Sequence, residues 1–212
     1  LGGKSAVAGW VSRDARGTVL AVGCADRWIE LRLSNECDYI GLDYPVTGRD
    51  MYGAKPDIFA DAGRLPLADE SVDTVIMLEV LEHLRNPSEA MAEANRVLRS
   101  GGRLLLSVPF LYPIHDAPHD YQRLTRHGVV RDADTAGFHL EVVSGRLGSL
   151  ETAGLVACLS IGGTSLEALK RRGPSMVLVP FLLLLLPAIN LFAWLGGRLL
   201  PSWGAMTNGY PL

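Results

Sequence analysis

The sequence predicts an α/β fold: an open, doubly wound, mostly parallel sheet covered by helices on both faces. Three observations predict it. Short apolar runs alternate with stretches of helical spacing, several runs end in a glycine or an acid, and five of them fall within residues 18–108.

Thr18-Val19-Leu20-Ala21-Val22 is apolar and stops at Gly23, the pattern of a buried strand and a tight turn. Asp26 to Leu33 has helical spacing, with Trp28, Ile29, Leu31 and Leu33 available to pack on a sheet. Tyr39–Asp43 is a second strand with an acid at its end, and Asp57–Asp61 repeats that pattern. Val72–Leu78 is a fourth strand, introduced by the polar turn Asp69-Glu70-Ser71. Glu89 to Leu98 is amphipathic, with Asn86 or Ser88 as cap, Pro87 in the first turn and Gly101-Gly102 as terminator. Arg103–Val108 is a fifth strand, stopped by Pro109. Beyond it, Phe110 to Gln122 reads as a loop, Thr125 to Ala136 as a helix and Phe138 to Leu147 as a sixth strand. Leu150 to Arg172 can be helical, and a last strand is expected within Met206–Leu212.

Composition bounds the rest. At 212 residues the chain can bury one good-sized core. A net charge of −3 with scattered cations offers no track for nucleic acid. Cys24, Cys37 and Cys158 are odd in number, widely spaced and lack a CxxC, which points to a reducing, cytoplasmic compartment rather than a disulfide framework or structural zinc. Leu1-Gly2-Gly3-Lys4 carries neither a starting Met nor an apolar secretory core, so a trimmed N-terminus without signal peptide is expected.

In such a sheet, ligands bind beyond the carboxyl ends of the strands. Gly23-Cys24-Ala25-Asp26 lies there, and its small residues let backbone approach a ligand. Asp43, roughly 20 residues on, is placed to accept both hydroxyls of a ribose; a helix cap or a solvated loop acid is its plainer reading. A dinucleotide fingerprint would map to Gly23, Ala25 and Trp28, and Trp cannot provide the close helix–strand contact of the third position. Glu82-His83 lacks a second His at helical spacing, so a zinc protease motif fails.

"VLAVGC", "YIGLD", "DAGRLPLADESVDTVI" and "LEHLRNP…RVLRSGGRLLLSVP" stand in one order between residues 19 and 109. Together they resemble the class I S-adenosylmethionine-dependent methyltransferase family, with a type 11-like domain, in the branch that includes small-molecule and glycan methyltransferases. The resemblance covers residues 18 to 147. It implies a Rossmann-like sheet of seven strands in the order 3-2-1-4-5-7-6, the seventh antiparallel, with S-adenosylmethionine as cofactor and S-adenosylhomocysteine as product. By it, Val22, Gly23, Cys24 and Ala25 line the methionine moiety. Asp43, with Tyr44 beside it, holds the ribose; Asp61 accepts from the adenine amino group beside the Ala62 backbone; Leu78 and Glu79 border the cofactor and open towards the acceptor. The chain departs from the family at Ala21, where an acid is usual, and at Ala25 and Arg27, where glycines are. A catalytically silent module that binds a membrane or a partner is the second reading.

His115-Asp116-Ala117-Pro118-His119-Asp120-Tyr121-Gln122-Arg123 follows the fifth strand and should lie where an acceptor binds. His115 or His119 can act as general base for a hydroxyl. Asp120, Tyr121 and Arg123 can orient a polar or anionic acceptor; an Asp–Arg pair that fixes the loop is the alternative. No metal site is expected, because Pro118 blocks the helix that would align the histidines.

The resulting division is one methyltransferase domain over 1–212: a cofactor half at 18–108, a substrate segment at 109–147 and an apolar helical insertion at 148–205. Met176 to Leu195 has about the 20 residues of a membrane span, interrupted by Pro180, Pro187 and Asn190. A single span would separate two strands that must pair, so the segment should leave and return on one side. Contact with the inner face of a membrane or a lipid-linked substrate, with Lys170-Arg171-Arg172 among anionic headgroups, is favoured over a flap or a homodimer interface.

Overall fold

The computed structural model describes residues 3–139, 141 and 145–211. They form two compact units: Leu1–Pro109, Asp116–Ser144 and Tyr210–Leu212 make the first, Phe110–His115 and Gly145–Gly209 the second.

The first unit is built on the expected sheet. β1 (Thr18–Val22) pairs in parallel with β2 (Asp38–Asp43) on one side and β4 (Val72–Leu78) on the other. β3 (Ile58–Phe59) extends the sheet beyond β2, and β5 (Leu98–Pro109) lies parallel to β4. With β6 (Gly209–Pro211) the order is β3-β2-β1-β4-β5-β6, six strands among the described residues. The last strand thus borders β5, as the family order requires. The strand expected over 138–147 falls partly on 140 and 142–144, which lie outside the described residues. Central strands buried on both faces explain the unbroken apolar runs: Val19, Leu20, Val75 and Met77 are fully buried.

α1 (Gly3–Asp14) has no counterpart in the sequence reading. It adds Val7 and Val11 to a core cluster with Val19, Ala21, Cys24, Ile29, Ile76 and Leu105. A second difference lies after β1. No α-helix forms over 26–33; the chain makes turns and a single 3-10 turn, Glu30–Arg32. The cause is local. Ala25 (φ 45°) and Arg27 (φ 59°) are left-handed, which breaks any helical run. α3 (Pro87–Val97) starts with Pro87 in its first turn, and α4 (Arg126–Thr135) is capped by Thr125 Oγ1, which accepts from Gly128 N at 3.1 Å. Between β2 and β3 stands the short α2 (Pro45–Asp50).

The second unit is a helical hairpin of α5 (Ser149–Arg171) and α6 (Val179–Leu199), linked through a 3-10 turn at Pro174–Leu178. Its base is pinned: Ser149 N donates to Ser202 Oγ and Trp203 N to Ser149 Oγ, both at 3.1 Å, and Arg146 N donates to Gly209 O at 3.0 Å. α6 runs without a break through Pro187, where the sequence led us to expect an interruption. Pro180 sits in its first turn, where no N–H partner is needed.

Candidate active site

At the carboxyl end of β1 the chain turns at Gly23, whose φ is +69°. A Cβ there would stand 2.7 Å from Val80 Cγ2, so both conformation and space demand glycine. The next residues are tied to β2: Cys24 N donates to Leu42 O at 3.0 Å, and Ala25 N to Asp43 Oδ2 at 2.8 Å. The other carboxylate oxygen, Oδ1, accepts from Tyr44 N at 2.8 Å. Asp43 is 5% exposed and lies against Gly48, where a Cβ would come 2.9 Å from Oδ1. It therefore fastens the turn after β1 to the end of β2. An ionised carboxylate offers about four acceptor positions, so the two amides leave about two for hydroxyl donors.

Arg27 clamps the same turn from outside. It reaches Glu30 in two bonds of 2.8 and 3.1 Å, pairs with Asp57 Oδ2 at 3.0 Å and lies over the Tyr39 ring. Asp57 also accepts from Gly41 N at 2.7 Å, which with the Arg27 guanidinium holds its carboxyl below the usual range. Positions that usually carry glycine thus keep a glycine-like backbone with Ala25 and Arg27 in place, and the side chain of Arg27 becomes a structural tie. Burial pushes the neighbouring Cys24 thiol up to about 11, with Asp43 adding to it, so that sulfur is no nucleophile near neutrality.

After β3, Asp61 is exposed and its Oδ1 accepts from Gly63 N at 2.8 Å, while Ala62 is buried. After β4, Leu78 packs against the core cluster and Glu79 takes φ 57°. Glu79 N donates to Ser107 O at 2.9 Å and its Oε1 accepts from Ser107 Oγ at 2.8 Å, joining the ends of β4 and β5. Gly23, Asp43, Asp61 and Glu79 accordingly stand at the carboxyl ends of four neighbouring parallel strands, the edge at which this architecture binds ligands.

The Leu81–His83 turn follows. Glu82 is 2% exposed; burial, with Glu79's charge second, pushes its carboxyl up to about 8. Its burial was not legible in sequence, where Glu82-His83 shows only that it lacks a second His at helical spacing. The turn holds the segment from Asp116 onward: Tyr121 N donates to Glu82 O at 2.9 Å, Gln122 Nε2 to Leu81 O at 2.8 Å, and His83 Nδ1 lies 2.7 Å from His119 O. Tyr52 OH donates to Asp116 Oδ2, a tie from the loop after α2 that no motif announced. Arg123 and Asp120 form a bidentate pair at 2.5 and 2.7 Å, with Asp120 almost fully buried. The loop-fixing alternative for these two residues is therefore what the geometry contains. Tyr121 is exposed, with Arg85 over its ring and its OH 3.5 Å from His119 Nδ1. His115 belongs to the second unit, where it meets the Tyr112 ring edge-on. Cys24, Cys37 and Cys158 are all unpaired.

Known proteins share this sequence pattern and fold. A family model described as a methyltransferase domain matches residues 20–106. A protein of Mycolicibacterium smegmatis named as an S-adenosylmethionine-dependent methyltransferase is 32% identical over 172 residues, 76% of this chain and 66% of that protein. The 27-O-demethylrifamycin SV methyltransferase of Amycolatopsis mediterranei is 30% identical over 119 residues, 50% of this chain and 44% of that enzyme. The chain thus spans only part of its relatives' length. Among solved structures, an S-adenosylmethionine-dependent methyltransferase from Archaeoglobus fulgidus shares the fold, with TM-score 0.54 at 16% identity over 68% of this chain and 72% of that one. With the motifs, the strand order and the relatives in agreement, the chain belongs to the class I S-adenosylmethionine-dependent methyltransferase family.

Proposed function

We propose that this chain transfers a methyl group from S-adenosylmethionine to a small-molecule, glycan or lipid-linked acceptor, at oxygen, and that it works on the cytoplasmic side. The observation that carries the reading is Asp43: a buried carboxylate that fastens the turn after β1 while keeping acceptor capacity for two hydroxyls. Val22, Gly23, Cys24 and Ala25 would lie along the methionine part, with the turn at Gly23 packed against Val80. Asp43 and the Tyr44 backbone would take the ribose, Asp61 and Ala62 the adenine. Leu78 and Glu79 would border the reacting end. The cofactor supplies a methyl already activated on a sulfonium. The protein's task is then to position the acceptor and exclude water, with no metal required.

We assign acceptor contact to the segment from Asp116 to Arg123. Glu82 and His83 hold its backbone, Leu81 holds its Gln122 side chain, and the Asp120–Arg123 pair stiffens its end. His119 would take the proton from an acceptor hydroxyl, with the exposed Tyr121 beside it and His115 as the other candidate base. Oxygen as the target draws support from the relative that acts on 27-O-demethylrifamycin SV. A silent module draws none, since the named relatives are methyltransferases.

The test is release of S-adenosylhomocysteine when the chain, S-adenosylmethionine with a labelled methyl and small-molecule or lipid extracts are combined. Label should enter an extractable, base-stable product, and His119→Ala should lower kcat at least tenfold with little change in cofactor affinity. No product formation from any extract, by a chain that binds the cofactor, would refute the enzymatic reading.

A further inference from the structure

The cofactor unit explains nothing about the α5–α6 hairpin, whose outer surface is unlike that of a water-soluble helix pair. Between Gly173 and Gly197 there is no charged side chain. Along α6, Phe181 is 65% exposed, Leu184 74%, Leu191 57% and Phe192 70%, and the consecutive Leu183, Leu184 and Leu185 are all exposed. At about 100° per residue, three consecutive positions cannot share one stripe. Apolar surface therefore runs around the helix, and burial of one face by a protein partner would leave the rest in water. A solvent that wets every side is needed. We infer that the hairpin is a bilayer anchor, embedded in lipid and returning to the side from which it leaves.

Six further observations fit lipid as the occupant. With 23 and 21 residues, α5 and α6 are about 34 and 32 Å long, against about 30 Å of hydrocarbon core. Charge is confined to the ends. Glu151 and Arg198 stand near the base and Glu167, Lys170, Arg171 and Arg172 near the turn, with none between Glu151 and Glu167 on α5. Arg198 lies 4.1 Å over the Trp194 ring, and Trp203 is exposed beyond the helix, a cation–aromatic grouping suited to the lipid–water boundary. The two helices meet through small residues: a Cβ on Gly154 would fall 2.4 Å from Ala193 Cβ, and one on Gly196 would fall 2.6 Å from Leu150. Such close backbone approach is how helices associate where lipid removes the hydrophobic drive. The one amide in the apolar run is satisfied within its own helix, Asn190 Nδ2 donating to Leu186 O at 3.0 Å. Both ends of the hairpin meet at the Ser149–Ser202–Trp203 bonds, so entry and exit lie on one side. The inference stands independently of the methyl-transfer reading.

The test is flotation of the full chain on phosphatidylcholine vesicles, with and without phosphatidylglycerol. The wild-type chain should float with both, and more completely with the anionic lipid. Leu184→Asp with Leu191→Asp, both at exposed positions, should keep the far-ultraviolet circular dichroism and lose flotation at least tenfold. Lys170→Glu with Arg171→Glu and Arg172→Glu should lose only the gain from phosphatidylglycerol. A wild-type chain that stays in the bottom fraction with both lipids overturns the inference. So does a discrete vesicle-free dimer that never floats and that the double Asp variant makes monomeric, which would assign the surface to a second copy.

Discussion

Asp43→Asn separates the two duties assigned to this carboxylate. The side chains are nearly isosteric, and the tight contact with Gly48 is unchanged in volume. What changes is acceptor capacity. Oδ1 and Oδ2 each accept a backbone N–H at 2.8 Å, and an amide can serve one of those donors only, turning its NH2 towards the other. A hydrogen bond to a charged group contributes about 1.5–3 kcal/mol. One such bond lost and one weakened, at a site 5% exposed, predicts a stability loss of roughly 2–4 kcal/mol. Urea denaturation followed by circular dichroism reads this as a lower midpoint with the slope unchanged. If the remaining acceptor positions hold a ribose, affinity for S-adenosylmethionine should fall by about 10- to 100-fold, since about 1.4 kcal/mol is tenfold. Titration calorimetry below the new unfolding midpoint measures that separately. A variant that loses stability but keeps its affinity within twofold would show that the carboxylate only ties the turn, and would refute the binding role.

Ala25→Gly removes the cost of a left-handed Cβ-bearing residue, about 1–2 kcal/mol, against the entropy a glycine adds to the unfolded chain. A net stabilisation of about 0.5–1 kcal/mol in urea is expected, and a destabilised variant would mean that the turn is not held as described. Glu82 gives a pH signature. Its carboxyl is raised from 4.5 to about 8, so the folded state keeps a proton that the unfolded state has released. Stability should therefore decline as pH rises from about 4.5 to 8, with a slope approaching about 1.4 kcal/mol per pH unit. Glu82→Gln should flatten that slope across the same window; an equal slope in both proteins would place the titration elsewhere. Arg123→Lys keeps the charge but replaces the two-pronged pair with Asp120 by a single contact. It should raise KM for the acceptor more than it raises the Kd of the cofactor, and equal effects on both would argue against a role at the acceptor segment.

The sheet was legible because its central strands are buried on both faces. Val19–Val22 and Val75–Leu78 are unbroken apolar runs, and the expected bounds Thr18–Val22 and Val72–Leu78 coincide with the observed strands. Asp43 was legible for a related reason: an acid directly after an apolar run stands at the binding edge. Contacts that depend on distant residues left no such trace. Whether Arg27 sits in a helix or a left-handed turn is decided by Asp57 and Glu30, and only the first of these lies on another strand's approach. Glu82 looks like any turn acid until Glu79, Asp120 and Arg123 close around it. α1 carries few apolar residues among Gly, Ser and charge, a pattern too sparse to signal a helix before the core it covers is known. The hairpin was legible as apolar and helical, while its uninterrupted passage through Pro187 was not, because a proline's cost depends on what surrounds the helix.

The proposed function requires an S-adenosylmethionine site that works with Ala21 in β1 and with Ala25 and Arg27 in the turn after it. Titration calorimetry of the full chain with S-adenosylmethionine measures that site. Saturable one-to-one binding below millimolar concentration, displaced by S-adenosylhomocysteine, is expected. Absence of any binding signal at near-millimolar ligand, from a chain with native circular dichroism, would contradict it.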